Sequence, residues 1–196
     1  EIAFLRDENY NTGRRLHECF LGDRGWTSGF FRLNGRLYQP GDLGRVIGSE
    51  IGIQIERPDR PGGVLFDNMT ALDNLCTSLI PKAGQHIIRK KIVSSILSEA
   101  LRWFPKEMLL QPLSSWSYPE RLRFSYYRWY LLNPRLLICF FPFAGQESTH
   151  HKMIIDLLVL CAQRGMAVWI ISSGIDAICK KTDNEEFLRR LHYLNK

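Results

Sequence analysis

Apolar residues change their period repeatedly along this chain, and the changes mark its elements. Residues 1–5, 30–33 and 51–55 alternate or run nearly continuously in apolar character between Gly or Pro clusters, which predicts strands. Over residues 14–21, Leu16, Phe20 and Leu21 fall at helical spacing, so strand and helix alternate early. Residues 35–63 are rich in Gly and Pro, and the run 57–63 is too interrupted for regular structure and reads as an exposed loop. Beyond it Thr70 or Asp73 can cap a helix, and residues 87–104 place Ile88, Ile92, Ile96 and Ala100 on one helical face.

The second half has a stronger rhythm. Pro119 suits a first helical turn, Leu122, Tyr126 and Trp129 line one face, and Asn133-Pro134 stops the helix. Residues 136–141 are a continuous apolar run, as parallel strands show when both faces are covered. Ser148 or Thr149 opens a helix with Ile154, Leu158 and Cys161 on one side, Gly165 ends it, and residues 167–171 form another buried strand. Strand, helix and strand over 136–171 make a βαβ unit with parallel pairing and a right-handed crossover. The fold class is α/β with a helical insertion.

Composition narrows this further. With 45% apolar and 23% charged residues among 196, the chain is an ordinary globular domain able to bury a core without staples. Its longest apolar stretches, 136–142 and 166–171, fall far short of the roughly 20 residues a membrane span needs. The net charge of +6 is scattered, with no basic cluster longer than Arg89-Lys90-Lys91, and reads as a solvated positive surface. Five cysteines, odd in number and without C-x-x-C spacing, lie in apolar stretches and suit buried thiols in a reducing cytoplasm. Glu1 opens directly on a strand, so we expect one domain over 1–196, excised from a longer chain, with a helical part at about 70–132.

Several fragments, taken in order, carry a resemblance. These are Gly22, Thr27-Ser28-Gly29, Arg32-Leu33-Asn34-Gly35, residues 69–74 (Met-Thr-Ala-Leu-Asp-Asn), Tyr127-Arg128-Trp129-Tyr130-Leu131, Asn133-Pro134-Arg135-Leu136-Leu137-Ile138, Pro142 with Gly145, and Ile171-Ser172-Ser173. Their order and spacing over about residues 1–183 resemble the second nucleotide-binding half of ribose- and galactose-type importer ATPases, which are ATP-binding-cassette (ABC) transporter domains. The resemblance implies a P-loop NTPase-like core with a parallel sheet flanked by helices and a small antiparallel part. It also implies ATP and Mg²⁺ as cofactors and two partners, a second cassette (in the same chain or a homodimer) and a transmembrane permease. The expected location is cytoplasmic, against the inner face of the membrane.

The chemistry is where the chain departs from that family. A phosphate cradle needs glycines, because only Gly lets successive backbone N–H groups close around phosphate, and a cation after them. The corresponding positions here hold Asp7, Tyr10 and Thr12, with Gly13 in the basic slot; a one-residue slip restores Gly13-Arg14 but displaces Leu16 and Gly22. Asp7 adds an anion near the phosphate position, and Arg14 or Arg15 are the residues through which nucleotide could still bind. The strand that should end in a Mg²⁺-ligating Asp and a water-polarising Glu ends in Cys139-Phe140-Phe141-Pro142. Phe neither ligates a hard cation nor accepts a proton, and positioned general-base catalysis is typically worth about 10²–10⁴-fold.

In the signature loop, Ser117 remains, Tyr118-Pro119 replaces the glycines, and Ser173-Gly174 stands at the switch position. Glu56 matches the acid of the loop that senses the membrane subunit. The nucleotide-site candidates are therefore the vestigial Gly13, Arg14, Arg15, Glu56 and Ser117, with no catalytic residue and no metal ligand. His150-His151 sits at a helix start without a partner at ligand spacing. Arg121, Arg123 and Arg128 interleave with Tyr126, Tyr127, Trp129 and Tyr130, a pattern open to a nucleic-acid surface but better suited to a helix with one buried aromatic face. The expected function is a hydrolysis-deficient cassette serving a transporter structurally or as a regulator, against an active ATPase with unusual motifs and a basic nucleic-acid-binding module, and no nucleic-acid partner is expected.

Overall fold

The computed structural model of the chain describes residues 1–25, 28–56, 65–83, 90–145 and 147–194, and only the backbone of 40–41 and 81–83. Five strands, β1 (Ile2–Arg6), β4 (Ile51–Ile55), β5 (Leu136–Phe140), β6 (Ala167–Ser172) and β7 (Leu191–Tyr193), make one sheet in the order β4-β5-β6-β1-β7. Every pairing in it is parallel. β2 (Phe31–Leu33) and β3 (Arg36–Tyr38) form a separate antiparallel pair around Asn34-Gly35, both at positive φ, as a tight hairpin turn requires.

Successive side chains on a strand point to opposite faces, and two helical layers collect the two sets. On one face Leu137, Cys139, Val168 and Ile170 pack with Leu122, Tyr126 and Trp129 of α6 (Tyr118–Leu132) and with α7 (Ser148–Gln163), α8 (Ile175–Cys179) and α9 (Glu185–Arg190). On the other, Leu136, Ile138, Phe140 and Ile171 meet Phe20 of α1 (Asn11–Leu21), Leu43 and Val46 of α2 (Pro40–Val46), and Tyr38 of the hairpin. This is the α/β, P-loop NTPase-like arrangement that the sequence predicts.

A third core lies outside the sheet. α3 (Ala71–Ala83), α4 (Lys90–Ala100), α5 (Lys106–Leu109) and a 3₁₀ turn at Leu113–Ser115 bury Leu75, Ile96, Phe104 and Leu113 against Phe124 and Tyr127 of α6. Thr70 caps α3, its Oγ1 accepting the Asp73 amide at 3.0 Å. α6 therefore faces two cores at once, not one: Tyr126 and Tyr127 are both fully buried and Arg128 is 6% exposed. That corrects the single-face expectation and removes these rings from any base-stacking surface. Fully burying Leu122 in one core and Phe124 in the other is worth about 1.5–3 kcal/mol each, so α6 is held from both sides.

Other differences are local. α6 begins at Tyr118, one residue before Pro119, whereas α7 opens at Ser148 as expected, with Glu147 before it. The helix expected over 87–104 ends at Ala100, and residues 101–104 turn inward to bury Phe104; residues 87–89 and the loop predicted at 57–63 lie outside the described residues. Cys139 and Cys161 are buried thiols, whereas Cys19, Cys76 and Cys179 are only half-buried. Strands β3 and β7 are three residues each, too short to carry a period.

Candidate functional site

In an open parallel sheet, ligands meet the crevice beyond the carboxyl ends of the strands. Here β1, β4, β5 and β6 end side by side at Asp7, Glu56, Phe141 and Ser173. The ladder runs one residue past β1, β4 and β5, with the Asp7 amide donating to Ser172 O (3.0 Å), the Glu56 amide to Phe140 O (3.2 Å) and the Phe141 amide to Ile171 O (2.8 Å). The first amides of α1 point into this edge, since a helix leaves its first four N–H groups without intrahelical partners.

Those amides have a ligand from their own chain. Asp7, 4% exposed, accepts from the Gly13 amide at 2.6 Å through Oδ2 and from the Thr12 amide at 3.3 Å through Oδ1. Among the described residues no Lys, Arg or His lies within ion-pair distance of it; the neighbouring Arg6 pairs with Asp176 and reaches Glu8 at 3.7 Å. Two aromatic residues in left-handed backbone conformation pack against each other at the same strand-end edge. Tyr10 has φ 57° and Phe141 φ 53°, and their ring centroids are 4.7 Å apart. Each such conformation in a bulky residue costs on the order of 1–3 kcal/mol and persists only when its surroundings enforce it. Tyr10 Oη lies 3.3 Å from Ser173 Oγ, tying the α1 side of the edge to β6.

Gly13 is the residue that admits the Phe141 ring. A Cβ there would stand 2.6 Å from Phe141 Cζ, 3.0 Å from Ile171 Cγ2 and 3.1 Å from Asp7 Oδ2. Arg14 and Arg15 are exposed on the same helix, and Arg14 Nε bonds Glu18 at 3.1 Å one turn on. Phe140 is buried and meets His17 edge-on at 5.4 Å. The edge thus brings together Asp7, Tyr10, Gly13, Phe141 and Ser173, while Arg14 and Arg15 serve the surface.

Glu56 and Ser117 go elsewhere. Glu56 is 3% exposed and accepts from Gln54 Nε2 at 2.7 Å; Gln54 also donates to Ser125 Oγ at 3.2 Å and accepts Trp129 Nε1 at 2.7 Å. This network joins β4 to α6 beside Gly52, whose bare Cα lets Trp129 pack closely: a Cβ would lie 2.8 Å from Trp129 Cε3. Burial, and then the Glu56 carboxylate, push the Tyr126 phenol well above its ordinary value. Burial alone lowers Arg128 to about 10, so it remains a cation at neutral pH. Ser117 is the cap residue of α6, with its amide and Oγ on Glu120 at 2.8 and 2.6 Å.

The Gln54 network escapes the sequence reading, although a Gln at an inward strand position among isoleucines is a visible signal. The positive φ of Tyr10 and Phe141 leaves no trace in the sequence. Among the described residues no group of three or more His, Cys, Asp or Glu could hold a metal ion. His150 lies against Tyr118 at 5.6 Å and His151 against Phe143 at 5.4 Å. No helix among the described residues is long and apolar enough to cross a membrane.

No protein-family profile matches the chain. In sequence it is 26% identical over 169 residues to a ribose/galactose/methyl galactoside import ATP-binding protein of Pseudomonas syringae pv. tomato, covering 85% of this chain and 32% of that protein. A protein of the same description from Pseudomonas fluorescens is 27% identical over 154 residues, covering 77% of this chain and 30% of the relative. The chain therefore spans about a third of the length of these relatives. Among solved structures, cbiO1 of Clostridium perfringens, part of an ABC transporter complex, superimposes with a TM-score of 0.71 at 18% identity, covering 98% of this chain and 72% of that one. A dimeric ATP-binding cassette bound to ADP and Pi in a post-hydrolysis state gives 0.68 at 18% identity, covering 99% of this chain and 80% of that chain. The fold is that of the ABC ATPases, and the sequence is similar to the ATP-binding proteins of sugar import.

Proposed function

We propose that this cassette fold serves a sugar importer as a structural or regulatory domain and does not hydrolyse ATP. The observation that carries the reading is the end of β5. Phosphoryl transfer by such a fold needs oxygen ligands for Mg²⁺ and a group that orients the attacking water. Phe140 is buried in the sheet core there, and Phe141 turns back over Gly13. Neither ring offers an oxygen, and losing a positioned base alone is worth about 10²–10⁴-fold in rate. The amides that would meet phosphate are bonded to Asp7, and the nearest cations of α1 are exposed. These residues do not fit a magnesium nucleotide, and no catalytic step is assigned to them.

The partners that suit this reading are a second, intact cassette and a permease at the inner face of the membrane, with residues 70–132 as the helical part of one domain. The third core, built from α3 to α6, supplies the separate packing unit that such a helical part requires. The test is phosphate release and calorimetry with MgATP on the purified chain. We expect no turnover above buffer and no saturable heat up to millimolar nucleotide. Turnover lost again on replacing a residue of the strand-end edge would overturn the reading and restore the alternative of an ATPase with unusual residues.

A further inference from the structure

We infer that Asp7 is an internal stand-in for phosphate: its carboxylate occupies the anion position at the start of α1 and holds the β1–α1 loop in an occupied state without any ligand. This rests on the reading of a cassette that does not turn over nucleotide, and adds to it a mechanism by which the fold persists without one. A buried carboxylate is costly unless hydrogen-bonded, and Asp7 is 4% exposed with no cation partner among the described residues. What compensates it is the pair of α1 amides, Gly13 at 2.6 Å and Thr12 at 3.3 Å, together with the positive end of the helix dipole. Those are the interactions by which a helix start holds phosphate.

The surroundings fit a permanent occupant. Phe141 and Tyr10 both hold left-handed backbone conformations and pack against each other, and Gly13, whose amide Asp7 accepts, provides the space for the Phe141 ring. Ser173 ties Tyr10 to the end of β6 through Tyr10 Oη at 3.3 Å. A nucleotide phosphate would have to displace the Asp7 carboxylate, which is tethered one residue from β1 and so acts at high effective concentration. The contact is autoinhibitory toward anions and stabilising for the loop.

Thermal melting and amide hydrogen exchange on the full chain test this with Asp7→Asn and Asp7→Ala. Asp7→Asn keeps the shape and removes the charge; it is expected to lower Tm by roughly 3–8 °C, with Asp7→Ala at least as low. The Gly13 and Thr12 amides are expected to exchange at least tenfold faster in Asp7→Asn while the β5 and β6 amides keep their protection. Inorganic phosphate and MgADP at millimolar concentration are expected to leave the wild-type Tm unchanged, since binding to the native state would raise it. An Asp7→Asn variant with wild-type Tm and wild-type Gly13 exchange would overturn the inference. A rise in wild-type Tm with inorganic phosphate would overturn it too, because it would show the amides open to an outside anion. MgATP turnover by wild type is a separate result: it would sink the proposed function whatever the Asp7 variants do.

Discussion

Gly13→Ala is the sharpest perturbation of the strand-end edge. In an open helical position this change stabilises, by up to about 1 kcal/mol, because Ala is the better helix former. At Gly13 the added Cβ meets Phe141 Cζ at 2.6 Å, with Ile171 Cγ2 at 3.0 Å and Asp7 Oδ2 at 3.1 Å. Forcing a methyl into a packed site costs about 1–3 kcal/mol, so the net effect is expected to be a loss of about 1–2 kcal/mol. Most of that loss comes from one ring, which a second variant removes. In a Phe141→Ala background the nearest obstacle becomes Ile171 at 3.0 Å, and Gly13→Ala is expected to be neutral or slightly stabilising. Urea unfolding of the four chains gives the interaction energy, expected at about 1–2 kcal/mol, provided the m-value is constant. If Gly13→Ala stabilises the wild-type chain, or if the two changes add, Phe141 does not stand over Gly13 and the picture of a filled edge is wrong.

Three further outcomes follow from other parts of the molecule. Gln54→Leu leaves Trp129 Nε1 without its acceptor and takes the Gln54 amide away from Glu56 inside the core, and is expected to cost about 1–3 kcal/mol by urea unfolding, whereas a near-neutral change would mean water replaces the amide. Burial raises the Cys139 thiol and pushes Cys161 up to about 12, while the half-buried Cys76 and Cys179 are also raised but stay accessible, so at pH 8 a thiol reagent should label Cys19, Cys76 and Cys179 in the native chain and reach the other two only on unfolding. Arg189 and then Arg190 hold the Glu186 carboxyl below its usual value; its contribution is therefore complete above the unfolded pKa and is lost as pH falls through the folded one. Carboxyl NMR titration should show that lowered midpoint, and Glu186→Gln should flatten the acid limb of stability; a midpoint at the usual value would refute the pairing.

The sequence by itself determined the parallel centre of the sheet. The apolar run 136–141, the helix period after Ser148 and the strand from 167 required a parallel βαβ unit, because only strands covered on both faces read as continuous hydrophobic runs. The resemblance to importer ATPases further implies that Phe140-Phe141 and Asp7 stand at that family's metal-ligand and phosphate-loop positions, because it can be traced residue by residue along the chain. The sequence did not determine that α6 serves two cores. Period alone marks Leu122, Tyr126 and Trp129, and only the packing of α3 to α5 against Phe124 and Tyr127 buries the opposite side.

Nor does any local pattern pair Gln54 with Trp129, 75 positions apart, or bring Phe141 onto Gly13 and Asp7 onto its amide. Such contacts depend on which strands become neighbours and on backbone turns at Tyr10 and Phe141 that their side chains disfavour. Strained conformations of that kind are set by the surrounding packing, and so only the tertiary structure decided that the phosphate edge is filled by the chain itself.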